Sequence, residues 1–150
     1  MAIKRLFAAP EFSMPGDLSL LVLRVVCGIA FMFHGWGKIQ NPFDWMGEYA
    51  FAPGIFQALA ALSEFGGGLA WILGALTPLA SCGIACTMVV AVYFHAIKNG
   101  DPFVSSSAGG MSYEPAAVFL CIALVLLALG PGRISVDRVL FGRPEGRPTE

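Results

Sequence analysis

Six ionisable side chains stand where the chain is otherwise apolar: Arg24, His34, Lys38, Glu64, His95 and Glu114. Histidine can move protons near neutral pH, a carboxylate accepts protons and hydrogen bonds, and a fixed cation can hold an anionic or quinoid oxygen. Charges at membrane depth are costly and mark function by default, so these residue types together point to a polar pocket for a small ligand. The segment Arg24 to Lys38, RVVCGIAFMFHGWGK, supplies an arginine, a histidine and a lysine at once. At about 100° per residue Arg24, Gly28, Phe31, Gly35 and Lys38 share one stripe, with His34 beside it. That stripe must face protein rather than lipid.

Four apolar runs position these residues. They predict an all-α, integral membrane four-helix bundle with spans at about 18–37, 54–76, 79–97 and 112–129. Asp17 or Ser19 is expected to cap the first span, and Gly28 and Gly35 allow close approach of a second helix. Glu64 lies mid-span with Gln57, Ala60, Ala61, Gly67, Gly68 and Trp71 on its face. Thr77 and Pro78 are read as a sharp turn that makes the second and third spans antiparallel neighbours. Ser81, Ile84, Met88, Ala91 and His95 form the inner stripe of the third span, with Cys82 and Cys86 on roughly the opposite side. Pro115 suits the first turn of the fourth span, and Glu114 sits at the favourable end of its dipole, so simple capping is the plainer reading of that residue. Gly130, Pro131 and Gly132 stop it.

The composition agrees. The 150 residues are 57% hydrophobic and 13% charged, against about 25% charged in soluble domains. A net charge of −1 with no basic block excludes nucleic acid as a partner and leaves the lipid bilayer. Cys27, Cys82, Cys86 and Cys121 lie in apolar runs at spacings that match no zinc or thiol-exchange motif, and read as small buried hydrophobes. Cys27-Gly28-Ile29-Ala30 recurs as Cys82-Gly83-Ile84-Ala85, a faint hint of duplication. Residues 1–17 read as a cytoplasmic or interfacial segment, with no convincing cleavable signal. Residues 18–140 form the membrane domain, and 141–150 a flexible cytoplasmic tail. Lys4, Arg5, Arg133, Arg138, Arg143 and Arg147 lie on the two tails against Lys38 and Lys98 on the long loops, which places both termini in the cytoplasm. Asn41 to Pro53, NPFDWMGEYAFAP, is a cap at the opposite surface, either an interfacial aromatic belt or a lid over a cavity.

On this topology His34, Lys38, His95 and Glu114 meet near the outer end, with Glu64 deeper. Arg24 and Glu64 differ in depth by roughly 9 Å at 1.5 Å per residue, so the sequence predicts a buried Arg24–Glu64 pair. Such a pair can serve the pocket or only fix helix register. No close pairing of the histidines and glutamates has metal-site spacing, so no metal is expected. No nucleophile elbow, phosphate loop or cofactor fingerprint is present, and no intrinsic cofactor is expected.

The ordered set LLVLRVVCGIAFMFHGWGK, SEFGGGLAWILGALTPLAS, His95, Tyr113-Glu114 and LGPGRISVDRVL resembles the DoxX family of small bacterial membrane proteins over most of Leu18 to Leu140. The resemblance implies a four-helix bundle in the bacterial inner membrane. It links the chain to thiosulfate oxidation with quinone as acceptor, to membrane oxidoreductase complexes and to oxidative or quinone stress. It transfers no catalytic set. The first functional expectation is therefore a component of a quinone- or sulfur-linked redox system that works with an oxidoreductase partner. The alternative is a non-enzymatic scaffold or assembly factor, and the third a small-solute carrier, which in four spans would call for a homo-oligomer.

Overall fold

The computed structural model describes residues 12–142 together with Phe7 and Pro10. Helix α1 spans Met14–Gln40, α2 Gly54–Leu73, α3 Thr77–Tyr93, α4 Glu114–Leu129 and the short α5 Val136–Phe141. A π-helical segment, Phe94–Asn99, continues α3, and a 3-10 turn, Gly47–Tyr49, interrupts the loop between α1 and α2. Met14–Gln40, Gly54–Leu73 and Thr77–Asn99 are long and apolar enough to cross a membrane.

Polar and charged side chains share the interior with an apolar core, and large apolar side chains cover the outside. Arg24, Glu64, Asp17, Asp137, Gln57, Thr77 and Ser81 are buried, whereas Val22, Val26, Phe33, Leu62, Leu69 and Val89 are exposed. Charge inside and apolar side chains outside is the arrangement that lipid selects. Most of each predicted stripe is buried, namely Arg24, Gly28, Phe31 and Gly35 of α1, Gln57, Ala61, Glu64, Gly67, Gly68 and Trp71 of α2, and Ser81, Ile84 and Met88 of α3, whereas Lys38, Ala60, Ala91 and His95 are partly exposed. Phe31 is the hub, with its ring 5.4 Å from Trp71 and 4.7 Å from Phe119, both edge-on. Trp71 Nε1 donates to Ser81 Oγ at 3.0 Å, which satisfies two buried polar atoms and ties α2 to α3.

Glycine sets the α1–α2 distance. A Cβ on Gly28 would lie 2.6 Å from the Gly68 carbonyl oxygen, and one on Gly35 would lie 2.5 Å from the Phe65 nitrogen. The two backbones touch only because no side chain stands between them.

Several boundaries differ from the sequence reading. α1 starts a turn earlier, behind Ser13, and Asp17 caps nothing because its carboxylate is taken by Arg133. The Ser19 hydroxyl donates to the Pro15 carbonyl instead of capping. The turn between α2 and α3 is Gly74 to Leu76, and Thr77 and Pro78 already belong to α3. The fourth helix begins at Glu114, not 112, because the amides of Tyr113 and Glu114 are drawn to the carbonyls of Pro102 and Phe103. Its 16 residues span about 24 Å, short of the roughly 30 Å hydrocarbon layer. Arg133 to Arg138 is not a tail but a packed segment leading into α5. The Cys27 and Cys82 tetrads face differently, Cys27 being buried and Cys82 exposed, so the repeat has no structural counterpart. The expectations for residues 1–6 and 143–150 lie outside the described residues.

Candidate functional site

Buried polarity gathers at two ends of the bundle. At the end near the termini the buried charges bond to backbone or to one another, while Arg24 Nε and Thr77 Oγ1 have no hydrogen-bond partner. Arg24 donates through Nη2 to the Ile134 carbonyl at 2.5 Å and through Nη1 to the Trp71 carbonyl at 3.4 Å. Asp17 receives the Arg133 amide at 2.8 Å and its Nε at 2.5 Å. Asp137 accepts the amides of Leu76 at 2.6 Å and Thr77 at 2.8 Å. Those are orphan donors at the start of α3, and Asp137 caps them from 60 residues away. Leu76 itself is held at φ 50°, a left-handed conformation that costs a branched residue roughly 1–2 kcal/mol.

Arg24 and Glu64 therefore do not pair, contrary to the sequence expectation. With Gly28 against Gly68, antiparallel packing puts Arg24 and Glu64 about eight residues, or about 12 Å, apart along the helix axes. The guanidinium extends toward the carbonyls at the end of α2, which are level with it. Glu64 meets Lys38 instead.

The other end holds a cavity of about 710 Å³ between α2 and α3, bounded by Lys38 of α1 and by the loop from Asn41 to Pro53. Lys38 Nζ lies 2.6 Å from Glu64 Oε1 and 4.5 Å from the centre of the Trp45 ring. Glu64 is 2% exposed, and its second oxygen, Oε2, has no hydrogen-bond partner. Gln57 pins the loop: it receives the Met46 amide, donates to the Ala52 carbonyl, and offers its own carbonyl to Trp45 Nε1. Trp45 and Phe51 form part of the cavity wall, and Phe51 stacks on Phe94 at 4.7 Å. Trp45 and Phe51 thus border the cavity in the manner of the lid reading, while Phe43 is exposed as an interfacial aromatic would be.

His95 lines the same cavity from the π-helical turn that ends α3. Its Nδ1–H donates to Asp101 Oδ2 at 2.7 Å, which fixes the ring and leaves Nε2 as the free nitrogen. A π turn inserted at the end of an α-helix is a frequent device for aiming a functional side chain. Cys86 also lines the cavity, so it shares this surface with His95 although the two were expected on roughly opposite sides of the helix. The cysteines are free thiols, but of the four expected to be buried only Cys27 is, and Cys82, Cys86 and Cys121 are exposed on the apolar outer surface. Among the described residues no three histidine, cysteine or acidic side chains are grouped to hold a metal ion.

Lys38, Glu64 and His95 are thus brought together, and His34 and Glu114 are not. His34 is exposed, and its ring lies 6.4 Å from Phe31 and 6.2 Å from Phe119 rather than along the cavity. Glu114 opens α4 without lining the cavity. Sequence reasoning missed Asp101 and Asp137. The signal for Asp101 was its place six residues after His95, just beyond the Gly100 turn that folds the chain back.

A family model for DoxX matches residues 19–96, which include Arg24, Lys38, Glu64 and His95. The inner membrane protein YqjF of Escherichia coli strain K12 is 35% identical over 131 residues, which cover 83% of this chain and 93% of the relative. No solved structure matches.

Proposed function

The chain belongs to the DoxX family, and within it we propose that the cavity binds a quinone-type small molecule as the membrane component of a redox system. The observation that carries this reading is the Lys38–Glu64 pair at the end of an aromatic, otherwise apolar cavity also lined by His95. A volume of about 710 Å³ lies in the range of small-molecule sites, which are typically apolar with a few convergent polar groups. Lys38 can donate to a ring oxygen, and His95, oriented by Asp101, can carry a proton between the ligand and the surface. Trp45, Phe51, Phe56 and Phe94 provide aromatic faces for a flat ring. The sequence carries no cofactor fingerprint, so electrons come from the ligand or from an oxidoreductase partner. The inner-membrane relative supports the same location here, and the excess of Lys and Arg on the tails supports cytoplasmic termini.

Extraction of protein purified in mild detergent, followed by mass spectrometry and binding of added decylubiquinone, tests the reading. Co-purified quinone or saturable binding is expected, and the absence of both refutes it. The scaffold reading draws on a different observation: at the terminal end Arg24, Asp17, Arg133 and Asp137 bond to backbone or to one another, as structural charges do. It predicts that His95→Ala leaves function intact.

A further inference from the structure

The cavity is a slot whose floor, top and back are made by the protein. Its lining ends at Ser63 and Glu64 on α2 and at Gly83 on α3, where a Cβ on Gly83 would lie 2.9 Å from Ser63 Oγ. At the other end the Phe51 ring stacks on Phe94 at 4.7 Å, and Gln57 holds the loop that covers the slot there. Lys38 and Glu64 stand on the side toward α1.

The remaining side faces lipid. On a helical wheel Leu59 lies within about 60° of Ile55 and Leu62, and Cys86 within about 60° of Leu79, Cys82, Val89 and Tyr93. All of these side chains are exposed, and on spans in lipid such apolar stripes meet the acyl chains. Leu59 and Cys86, together with Val90, nevertheless line the slot. Its mouth therefore opens between the lipid-facing stripes of α2 and α3, at the depth of the hydrocarbon.

The slot has the length of one leaflet. From Gly83 to Phe94 it follows α3 for about 16 Å at 1.5 Å per residue, and half of a hydrocarbon layer of roughly 30 Å is about 15 Å.

Water is a poor filling for it. A buried water needs several polar partners, and most polar groups on these walls are already engaged. Thr87 Oγ1 donates to the Gly83 carbonyl, Gln57 serves the loop, His95 holds Asp101, and the Lys38 ammonium sits between Glu64 and the Trp45 ring. Left empty, the apolar walls would forgo their dispersion contacts, although acyl chains stand at the mouth.

We infer that the slot holds an acyl chain of a membrane lipid, taken in sideways between α2 and α3 from the leaflet on the side of the Asn41–Pro53 loop, with its terminal methyl at Ser63 and Gly83. The loop is then a seal against water, and the entrance lies in the membrane. Any membrane-dissolved ligand enters by the same mouth and displaces the chain, so the inference holds whatever the head group of that ligand.

The test uses the full chain in nanodiscs made with phosphatidylcholine that carries a diazirine either at the end of one acyl chain or beside its carbonyl carbon. After irradiation, adducts are mapped by mass spectrometry. Exposed Leu62 reports lipid around the bundle, and buried Ala61 and Ile84 report background. The terminal diazirine is expected to label Ser63 and Thr87 at least about tenfold above Ala61 and Ile84, because insertion needs van der Waals contact. The diazirine beside the carbonyl should label Phe56 and Phe94 instead. Adducts at Leu62 without adducts at Ser63 and Thr87 overturn the inference, and so does labelling of Ser63 that is equal for the two diazirine positions. Ala60→Phe, which narrows the slot, should lower the Ser63 and Thr87 adducts several-fold and leave Leu62 unchanged. The pattern on the unsubstituted protein decides the matter whether or not that variant folds. Added decylubiquinone separates the two readings. Slot adducts that it does not displace keep the acyl chain and count against the quinone, whereas saturable quinone binding without slot adducts does the reverse.

Discussion

Lys38 and Glu64 meet at 2.6 Å, joining the last turn of α1 to the middle of α2. The glutamate is almost wholly buried, while the lysine side chain is 27% exposed. The partners are therefore unequal: removal of the lysine strands a buried carboxylate, whereas removal of the glutamate frees a lysine that can reach toward the surface. Lys38→Met should lower the thermal stability of the purified protein more than Glu64→Leu does. Its cost should fall below the roughly 3–5 kcal/mol of a fully buried broken pair. The double variant should be more stable than Lys38→Met alone, and purely additive losses in detergent melts would show that the two do not couple.

Arg24 and Glu64 belong to separate networks, one on carbonyls at the terminal end and one at the cavity. Arg24→Leu and Glu64→Leu should therefore each destabilise, and their effects should add to within about 0.5 kcal/mol. Recovery of stability in the double variant would contradict the geometry.

Asp137 reaches the start of α3 from α5. Asp137→Ala leaves the Leu76 and Thr77 amides without an acceptor and should cost about 2 kcal/mol or somewhat more, at the upper end of single-cap losses. Thermal melts should fall while affinity for a cavity ligand in the folded fraction stays unchanged. A selective loss of affinity would mean that the two ends communicate.

The close approach of α1 and α2 makes a sharp contrast among glycines. Gly28→Ala and Gly68→Ala each drive a methyl against the facing backbone and should cost about 1–3 kcal/mol. A methyl group on Gly37 would meet nothing within 4 Å, so Gly37→Ala should be neutral or slightly stabilising, by up to about 1 kcal/mol. Comparable losses at all three in thermal melts would show that backbone contact does not set the α1–α2 distance.

His95 lines the cavity and His34 does not. His95→Ala should weaken quinone-type binding several-fold, Asp101→Asn should weaken it less, and His34→Ala should leave it unchanged. Titration of each variant with decylubiquinone in nanodiscs checks the ranking, and loss of binding with His34→Ala would move the site.

The buried stripes were legible in the sequence because helical period alone decides which side of a helix carries Arg24, Phe31, Glu64 and Trp71. The set Lys38, Glu64 and His95 was legible because chain topology decides which helix ends share a level. Partner choice was not. Depth arithmetic placed Arg24 near Glu64 without revealing which way the guanidinium would extend, and the carbonyls of Trp71 and Ile134 are invisible to any scan for opposite charges. Asp137 was hidden for a related reason: a carboxylate among basic residues after a glycine stop reads as tail, and its role depends on a turn 60 residues earlier. The exclusion of His34 from the cavity was not legible either, because on a helical wheel it lies only about 40° from Lys38, and its ring sits by Phe119 instead.

The bonds from Asp137 to the start of α3 set the order in which this molecule can be completed during its synthesis. Leu76 and Thr77 leave the ribosome 60 residues ahead of the carboxylate that serves them, an interval of about 3–12 s at roughly 5–20 residues per second. Through that interval α1, α2 and α3 can associate along their glycine and aromatic contacts, but the α2–α3 turn still lacks its acceptor and Arg24 still lacks the Ile134 carbonyl. The end of the bundle is closed last, by a segment that passes no further through the membrane, so a nascent chain arrested before residue 137 should present an open, protease-sensitive turn that the finished protein does not.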